Sequence, residues 1–411
     1  MLTDAIASRA FPATSIAITH RHRLIALKSF GHFTYSEDPA SEYPAGAPPL
    51  SRSVRQGPAL SLSKCGDSDV KPATLFDLAS LTKPIATTTM AMILYERGLL
   101  ELETPVAGIV PEFKTDAAGS PDPRRRDVTF RMLLAHSSGL PAYEKLFLKA
   151  HSRDYLLQSA FTTSLSADPG TRAEYSDIGF ILLGTALERI AGESLDIFCQ
   201  REIFGPLAMT RTTFNPEADT RKEIPPTADE RLSPNEECGT DTSVRQLPTT
   251  PEAPGTALLA ARSTFRNRII QGEVQDENAC ILGGVAGHAG LFSTAEDLAR
   301  FAHVMLHGGH PILRPETGAL FTHRESTPPR TSRALGWDTP SKPSQSGKYF
   351  GSRSFGHLGY TGTSLWIDPN RQLSITLLTN RTWPDCANQA IKQVRPRFHD
   401  AVIEALSSGK D

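Results

Sequence analysis

Residues 74–87 read TLFDLASLTKPIAT and place Ser80 and Lys83 three positions apart at the start of a predicted helix. Side chains at i and i+3 share one helix face, so the ammonium group of Lys83 can reach the hydroxyl group of Ser80. A serine hydroxyl is a poor nucleophile until a neighbour takes its proton, and a half-buried lysine can have a pKa low enough to do so. The alternative is an N-cap serine followed by a solvated lysine.

A second candidate segment, Glu174-Tyr175-Ser176-Asp177, lies just before a predicted helix over 178–191. The phenol of Tyr175 could relay protons if it lies beside Lys83. Asp177 fits two interpretations equally well, because aspartate is common both as a helix N-cap and as a site residue.

A third candidate segment, residues 356–363 (GHLGYTGT), contains His357 and three glycines directly before a predicted strand. Glycines beside a strand indicate that something approaches the backbone closely, and a backbone N–H group at this edge could serve an oxyanion hole. The alternative is a glycine-rich turn or bulge that enters the strand.

Together these segments resemble the serine β-lactamase and penicillin-binding-protein superfamily, whose motifs include S-x-x-K and K-T-G. The likeness is greater to the class C β-lactamase-related branch, with S-x-x-K, Y-x-N and H-x-G or K-T-G. That branch includes esterases, D-aminopeptidases and D,D-carboxypeptidases. Other stretches that resemble the branch are residues 128–141, 169–184, 282–301 and 355–380.

The resemblance implies a role for each residue of the motifs. Ser80 would be the acylated nucleophile, Lys83 its base or a relay, and Tyr175 a partner in proton transfer. The oxyanion hole would be formed by the backbone N–H groups of Ser80 and Tyr360, with Gly359 and Asp177 also on the substrate side.

Some positions depart from the pattern of the branch. His357 takes the place of the third motif's cation and can be neutral or charged near pH 7, which predicts pH-dependent activity. Asp177 replaces an asparagine and could pair with Lys83, holding it charged and weakening it as a base. Leu358 replaces the threonine or serine that commonly holds a substrate carboxylate, and Gln275 stands where histidine is frequent.

The predicted fold class is α+β, an α/β sandwich of the β-lactamase/transpeptidase type. We expect an antiparallel sheet built from both termini, with an inserted helical subdomain. The predicted strands are 13–19, 24–30, 363–368 and 373–379, and the predicted helices are 84–97, 129–136, 178–191 and 294–307, the last with a Ser293–Glu296 capping box. The predicted organisation is one domain over 1–411, with an α/β part at about 1–75 and 280–411, a helical part at about 80–280, and surface insertions at about 37–73 and 215–268.

The composition limits the partners of the chain. Its 411 residues are 39% hydrophobic and 21% charged, with a formal net charge of −2, which argues against nucleic-acid binding. No apolar run of about 18 residues is present, so no membrane span is expected. The N-terminal sequence lacks the features of a signal peptide, so we expect a cytoplasmic protein, or a periplasmic one if the true start lies elsewhere.

Neither the spacing of the cysteines nor any metal-binding motif predicts a cofactor. The cysteines are far apart and form no CxxC pair, so neither a disulfide framework nor a zinc site is expected. They are Cys65, Cys199, Cys238, Cys280 and Cys386. The sequence contains no HExxH, EF-hand or P-loop motif, so we assign no metal and no nucleotide.

We therefore expect a serine hydrolase that acts through an acyl-enzyme on a small ester or amide. A true β-lactamase or a D-alanyl peptidase is the alternative within the enzyme class, so the substrate would be an ester, a β-lactam or a peptide-like molecule. Outside the enzyme class, the alternative is a catalytically silent binding protein on the same fold. The departures at Asp177 and Leu358 and the two insertions motivate this alternative. The sequence does not assign an oligomeric state.

Overall fold

The computed structural model describes residues 1–35, 70–231 and 265–408. Most of the two predicted insertions, at 37–73 and 215–268, lies outside these described residues.

The described part of the chain contains ten strands. They are β1 (Ala13–His20), β2 (Arg23–Gly31), β3 (Phe76–Asp77), β4 (Thr213–Phe214), β5 (Ala228–Asp229), β6 (Ile269–Ile270), β7 (Leu291–Ser293), β8 (Phe355–Leu358), β9 (Ser364–Asp368) and β10 (Leu373–Thr379). Strands β1, β2, β9 and β10 agree with the predicted strands to within one or two residues. Strand β8 and the short strands β3 to β7, which form two small sheets, were not predicted.

The central sheet has five strands in the order β2-β1-β10-β9-β8, and each neighbouring pair is antiparallel. Strand β1 shows why the pattern specifies a sheet, because its side chains alternate between two apolar clusters. Ala13 and Ala17 face one cluster, whereas Ile16 and Ile18 face the other. The sheet is thus buried on both faces at β1, whereas no residue of the edge strand β2 is fully buried.

The α-helices cover those two faces and fill the middle of the chain. They are α1 (Leu2–Ala7), α2 (Thr89–Glu96), α3 (Phe130–Leu134), α4 (Arg153–Thr162), α5 (Asp177–Ala191), α6 (Leu195–Cys199), α7 (Glu277–Ile281), α8 (Ala295–Leu306), α9 (Pro315–Thr322) and α10 (Ile391–Ser408). Helix α8 packs on one face of the sheet, and α1 and α10 pack on the other. Helices α2 to α7 come from the middle of the chain, so the predicted α+β architecture is confirmed.

The predicted helix over 84–97 proves to be the last part of a compound element. A 3-10 turn at Ala79–Leu81 precedes a π-helical segment, Lys83–Thr88, and regular α-helix begins only at Thr89. Pro84 has no N–H group to donate, which disfavours regular α-helical hydrogen bonding at this point. This irregular segment of 3-10 and π-helix contains Ser80 and Lys83, the two residues of the S-x-x-K pattern.

The cap of α8 differs from the prediction. Thr294, not Ser293, is the N-cap, and its Oγ1 accepts a hydrogen bond from the backbone N–H of Asp297. Ser293 is the last residue of β7, so its backbone belongs to a strand and its hydroxyl lies 2.7 Å from that of Thr212.

The glycine-rich third segment begins as a strand rather than as a turn. Strand β8 contains Gly356, His357 and Leu358 and pairs with β9. A Cβ atom at Gly356 would lie 2.5 Å from the indole of Trp366, so the close approach predicted there is made by the protein itself.

One cysteine contradicts the expectation drawn from spacing. Cys386 is in a disulfide bond, whereas Cys199 and Cys280 are free thiols. Separation along the sequence does not limit which thiols folding brings together, so spacing alone could not exclude the bond. Within the residues that the structure describes, no helix combines the length and the apolar character needed to cross a lipid bilayer.

Candidate active site

Ser80 lies at the junction of β3 and the compound helix, at the base of a cleft. The residue before it, Ala79, has φ 48°, a left-handed backbone conformation that is strained for an alanine. The carboxylate of Asp77 holds this conformation by accepting hydrogen bonds from the N–H of Ala79 at 2.8 Å and of Gln275 at 2.7 Å. Burial raises the pKa of Asp77 to about 6.

Lys83 is fully buried and uses all three donor positions of its ammonium group. Its Nζ lies 3.0 Å from Ser80 Oγ, 2.6 Å from Asp177 Oδ1 and 2.9 Å from the carbonyl oxygen of His288. Burial lowers the pKa of Lys83, and the negative charge of Asp177 offsets that shift only in part. The predicted pairing of Asp177 with Lys83 is present, and its charge raises the lysine pKa as expected, although burial lowers that pKa by more.

Tyr175 reaches the same hydroxyl group from the other side. Its phenol donates to Ser80 Oγ at 2.6 Å. Burial, followed by the negative charge of Asp177, raises the pKa of Tyr175 well above its usual value, so the phenol keeps its proton near neutral pH.

His136 fixes the backbone on both sides of that tyrosine. Its carbonyl oxygen accepts from the N–H of Glu174 at 2.8 Å, and its Nδ1 accepts from the N–H of Ser176 at 3.0 Å. The imidazole ring lies 4.7 Å from the Tyr175 ring, between centroids. His136 is therefore a framework residue with a direct effect on where the phenol points.

The N-cap of α5 is Ser176, so the cap interpretation of Asp177 is wrong. Ser176 Oγ accepts from the N–H of Gly179 at 2.9 Å. This leaves the carboxylate of Asp177, in the first turn of α5, to face Lys83 and the cleft.

The loop after β8 forms the third side of the cleft, and two buried arginines hold its carbonyl groups. Arg395 of α10 donates to the carbonyl oxygens of Gly359 and Thr363. Arg381 donates to the carbonyl oxygen of Tyr360 at 2.7 Å, and its guanidinium group lies 4.4 Å from the centroid of that ring. Both Gly359 and Tyr360 line the cleft, as predicted.

His357 also lines the cleft, but it is not a cation. Its ring is only 3% exposed, and Nδ1 donates to the carbonyl oxygen of Leu358 at 2.7 Å. Burial, followed by the positive charges of Lys83 and Arg333, lowers the pKa of His357 well below its usual value. This direction favours a neutral imidazole near pH 7 and so does not support the predicted pH dependence through titration of His357. Among the described residues its Nε2 atom has no hydrogen-bond partner.

A further wall of the cleft is acidic and was not predicted from the sequence. The cleft encloses about 900 Å³, open to solvent, and Tyr143, Asp276 and Glu277 form part of its lining. His288 Nε2 lies 2.8 Å from Asp276 Oδ1, so that carboxylate is paired. Glu277 has a longer contact, 3.4 Å from the phenol of Tyr143. Burial and the neighbouring Asp276 raise the pKa of Glu277 to about 7.

Arg333 is a further residue of the cleft that the sequence did not single out. Its guanidinium group lies 5.5 Å from the centroid of the Tyr175 ring and 3.6 Å from a carboxylate oxygen of Asp338. These residues come from a segment without a recognised motif, so no local sequence signal marks them.

Comparisons with known proteins show which family the chain resembles. A family model described as Beta-lactamase matches residues 1–395. An N-acetylmuramyl-L-alanine amidase from Bacillus subtilis (strain 168) is 33% identical over 327 residues, covering 76% of this chain and 69% of the relative. A protein of Escherichia coli (strain K12), provisionally named D-alanyl-D-alanine carboxypeptidase, is 32% identical over 323 residues, covering 75% of this chain and 69% of the relative.

Solved structures share the fold at lower identity. Simvastatin synthase (LovD) from Aspergillus terreus has a TM-score of 0.64 at 20% identity, covering 98% of this chain and 96% of that one. A class C beta lactamase from Rhodobacter sphaeroides has a TM-score of 0.62 at 20% identity, covering 98% of each chain. The family match over nearly the whole chain and the relatives above 30% identity lead to one conclusion: the chain belongs to the Beta-lactamase family.

Proposed function

We propose that this protein is a serine hydrolase that cleaves a small ester or amide through an acyl-enzyme on Ser80. The observation that carries the proposal is the convergence of Lys83 Nζ, at 3.0 Å, and the Tyr175 phenol, at 2.6 Å, on one serine oxygen. A nucleophile within hydrogen-bond reach of a base, which is itself held by a third group, is the arrangement that covalent catalysis requires.

In the proposed mechanism, Lys83 rather than Tyr175 is the base. The lowered pKa of Lys83 makes its neutral amine accessible, whereas the raised pKa of Tyr175 keeps the phenol protonated. The lysine nitrogen accepts the serine proton as Oγ attacks the substrate carbonyl carbon, and the resulting ammonium group is stabilised by Asp177.

The tetrahedral intermediate then collapses with cleavage of the bond to the leaving atom. The backbone N–H groups of Ser80 and Tyr360 would stabilise the oxyanion while it exists. The leaving alcohol or amine takes a proton from Tyr175, and Lys83 remains protonated until product release. Water then attacks the carbonyl carbon of the acyl-enzyme and gives a proton to the Tyr175 phenolate. The bond to Ser80 Oγ breaks, and Oγ takes back the proton that Lys83 held as the acid product leaves.

The names of the relatives support amide substrates. One relative is named an amidase and another a D-alanyl-D-alanine carboxypeptidase, so a cell-wall peptide is a second candidate substrate. Leu358 stands against it, because it lacks the hydroxyl group that would hold a substrate carboxylate. The silent-protein alternative does not explain why an amine and a phenol converge on one serine oxygen.

An active-site serine probe, followed by intact-mass measurement, tests the nucleophile. A fluorophosphonate should add one label to the wild-type chain and none to Ser80→Ala. Ser159→Ala on α4, whose side chain does not line the cleft, is the matched control and should label normally. Labelling that persists in Ser80→Ala, or a wild-type chain that takes no label, would overturn the assignment.

A substrate panel separates the alternatives. A short-chain p-nitrophenyl ester, a chromogenic cephalosporin and a D-alanyl-D-alanine peptide are assayed side by side. Turnover of the ester alone supports an esterase, turnover of the cephalosporin a β-lactamase, and turnover of the peptide a carboxypeptidase. No turnover of any of them favours the silent protein.

A further inference from the structure

Three histidines meet at a place unconnected with the cleft. The histidine cluster consists of His22, His303 and His307, and the nitrogen atoms that each offers all lie within 4.8 Å of one another. His307 Nε2 lies 2.9 Å from His22 Nδ1, and the rings of His303 and His307 have centroids 4.4 Å apart.

Two rigid elements bring the cluster together. His22 lies in the two-residue turn between β1 and β2, where Arg21 and His22 have φ values of 47° and 65°. Two consecutive positive φ values are typical of the tight hairpin turn that matches strand twist. His303 lies in the last turn of α8 and His307 just after its end, four positions apart on one face.

Helix α8 packs directly on β1 and β2, so the hairpin tip and the helix end cannot move independently by much. Strand β2 is the edge of the sheet opposite β8, which contributes His357 to the cleft. The histidine cluster is thus separate from the proposed reaction.

The hydrogen bonds of His307 prepare it to bind a metal ion. Its Nδ1 donates to the carbonyl oxygen of His303 at 2.7 Å, so its Nε2 carries the lone pair, which points toward His22. Metal-bound histidines almost always donate their second N–H group to a carbonyl or carboxylate oxygen in this way. The negative end of the α8 dipole also favours a cation at this position.

We propose that His22, His303 and His307 bind a divalent transition-metal ion, with Zn²⁺ as the preferred ion and a fourth position open to water. Imidazole nitrogen suits zinc, copper and nickel, whereas Ca²⁺ and Mg²⁺ require oxygen ligands. A tetrahedral zinc ion with Zn–N bonds of about 2.0 Å needs its nitrogens about 3.3 Å apart. Small rotations of surface side chains bring nitrogens within 4.8 Å to that distance.

A bound ion would connect the hairpin tip to the end of α8 and stabilise the native state. It would not take part in acyl transfer, because the ligands lie at the other edge of the sheet.

Calorimetric titration of the metal-free full chain with ZnCl₂ tests the proposal. We expect one zinc ion per chain, and an affinity that falls by about 100-fold or more in His307→Gln, since even second-shell changes cost 10–100-fold. His323→Gln, which removes an exposed histidine outside the cluster, should bind zinc like the wild type.

Two further readouts separate a specific site from general zinc binding. Co²⁺ should give the visible absorption of a tetrahedral site with the wild type but not with His303→Gln. Zn²⁺ should raise the melting temperature of the wild type and leave that of His303→Gln unchanged. Equal zinc affinity in the wild type and the variants, or no binding by the wild type, would overturn the proposal and leave a hydrogen-bonded histidine pair that braces the turn.

Discussion

The two walls of the cleft differ in how their ionisable groups are paired. On the nucleophile wall (Ser80, Lys83 and Tyr175), Lys83 makes three hydrogen bonds and Tyr175 one of 2.6 Å. On the acidic wall (Tyr143, Asp276 and Glu277), Asp276 is paired with His288, but the side chain of Glu277 makes one hydrogen bond within the described part of the chain, a long one of 3.4 Å.

This difference suits the two walls to two tasks, the chemical reaction and the recognition of a substrate. Groups that hold each other in fixed geometry suit bond making and breaking, which needs preorganised partners. A loosely held carboxyl group at the cleft surface remains able to meet a substrate. We therefore expect changes on the nucleophile wall to alter the rate of chemistry and changes on the acidic wall to alter the choice of substrate.

The largest effect should come from removing the base. Lys83→Met keeps much of the side-chain volume but cannot accept a proton, so acylation should slow by about 10³–10⁴-fold, at the upper end for general-base catalysis. The measurement is single-turnover labelling with a p-nitrophenyl ester.

The same substitution leaves Asp177 without its ammonium partner, so folding needs a control. The double variant Lys83→Met/Asp177→Asn removes the unpaired charge, and its melting temperature should be close to that of the wild type. Near-normal acylation in either variant would remove Lys83 from the mechanism.

Tyr175→Phe should have the next largest effect on the nucleophile wall. The variant keeps the ring packed on His136 but loses the proton donor to Ser80, so kcat should fall by about 10²-fold while KM changes little. Tyr155→Phe on α4, where the ring is exposed, is the matched control. An unchanged kcat in Tyr175→Phe would assign the phenol to packing alone.

A change on the acidic wall should act on KM rather than on kcat. The carboxyl group of Glu277 is protonated below its pKa of about 7 and ionised above it. KM for an ester carrying an ammonium group should therefore fall about tenfold as pH rises from 6 to 8, equivalent to about 1.4 kcal/mol of binding. A neutral ester of the same size should show no such fall.

Glu277→Gln tests the origin of this pH dependence, because glutamine has no charge to gain. The variant should keep the high KM for the cationic ester at every pH, with kcat for the neutral ester unchanged. A fall in KM that persists in Glu277→Gln would place the titrating group elsewhere on the wall.

The smallest effect should follow from Asp177→Asn. Activity requires neutral Lys83, so the rate rises with pH through the lysine pKa. Removing the negative charge of Asp177 lowers that pKa further, and the ascending limb of the kcat/KM profile should move to lower pH by about one unit. A limb that moves to higher pH would contradict the assignment of Lys83 as base.

The residues of the nucleophile wall could be picked out from the sequence because the patterns that mark them are local. The spacing of Ser80 and Lys83, and the position of Tyr175 before α5, each depend on fewer than ten neighbouring residues. Strands β1 and β2 were found for the same reason, since alternation and a two-residue turn are short-range patterns.

The acidic wall and the loop after β8 depend on contacts that no local pattern reveals. Glu277 and Tyr143 belong to separate parts of the chain, as do Arg395 and Gly359. The environment of His357 could not be predicted either, because its charge depends on how deeply folding buries the ring. The histidine cluster combines an i, i+4 pair with a residue from a distant turn.

The pairing of β1 with β10 affects how the protein is made. The N–H of Ala13 bonds to the side chain of Asn380, 367 positions away, and β10 lies between β1 and β9. On the ribosome, β1 and β2 emerge long before β10, so a nascent hairpin presents an open strand edge until β10 has been synthesised. The central sheet can therefore close only after more than 350 residues beyond β1 have been added to the growing chain.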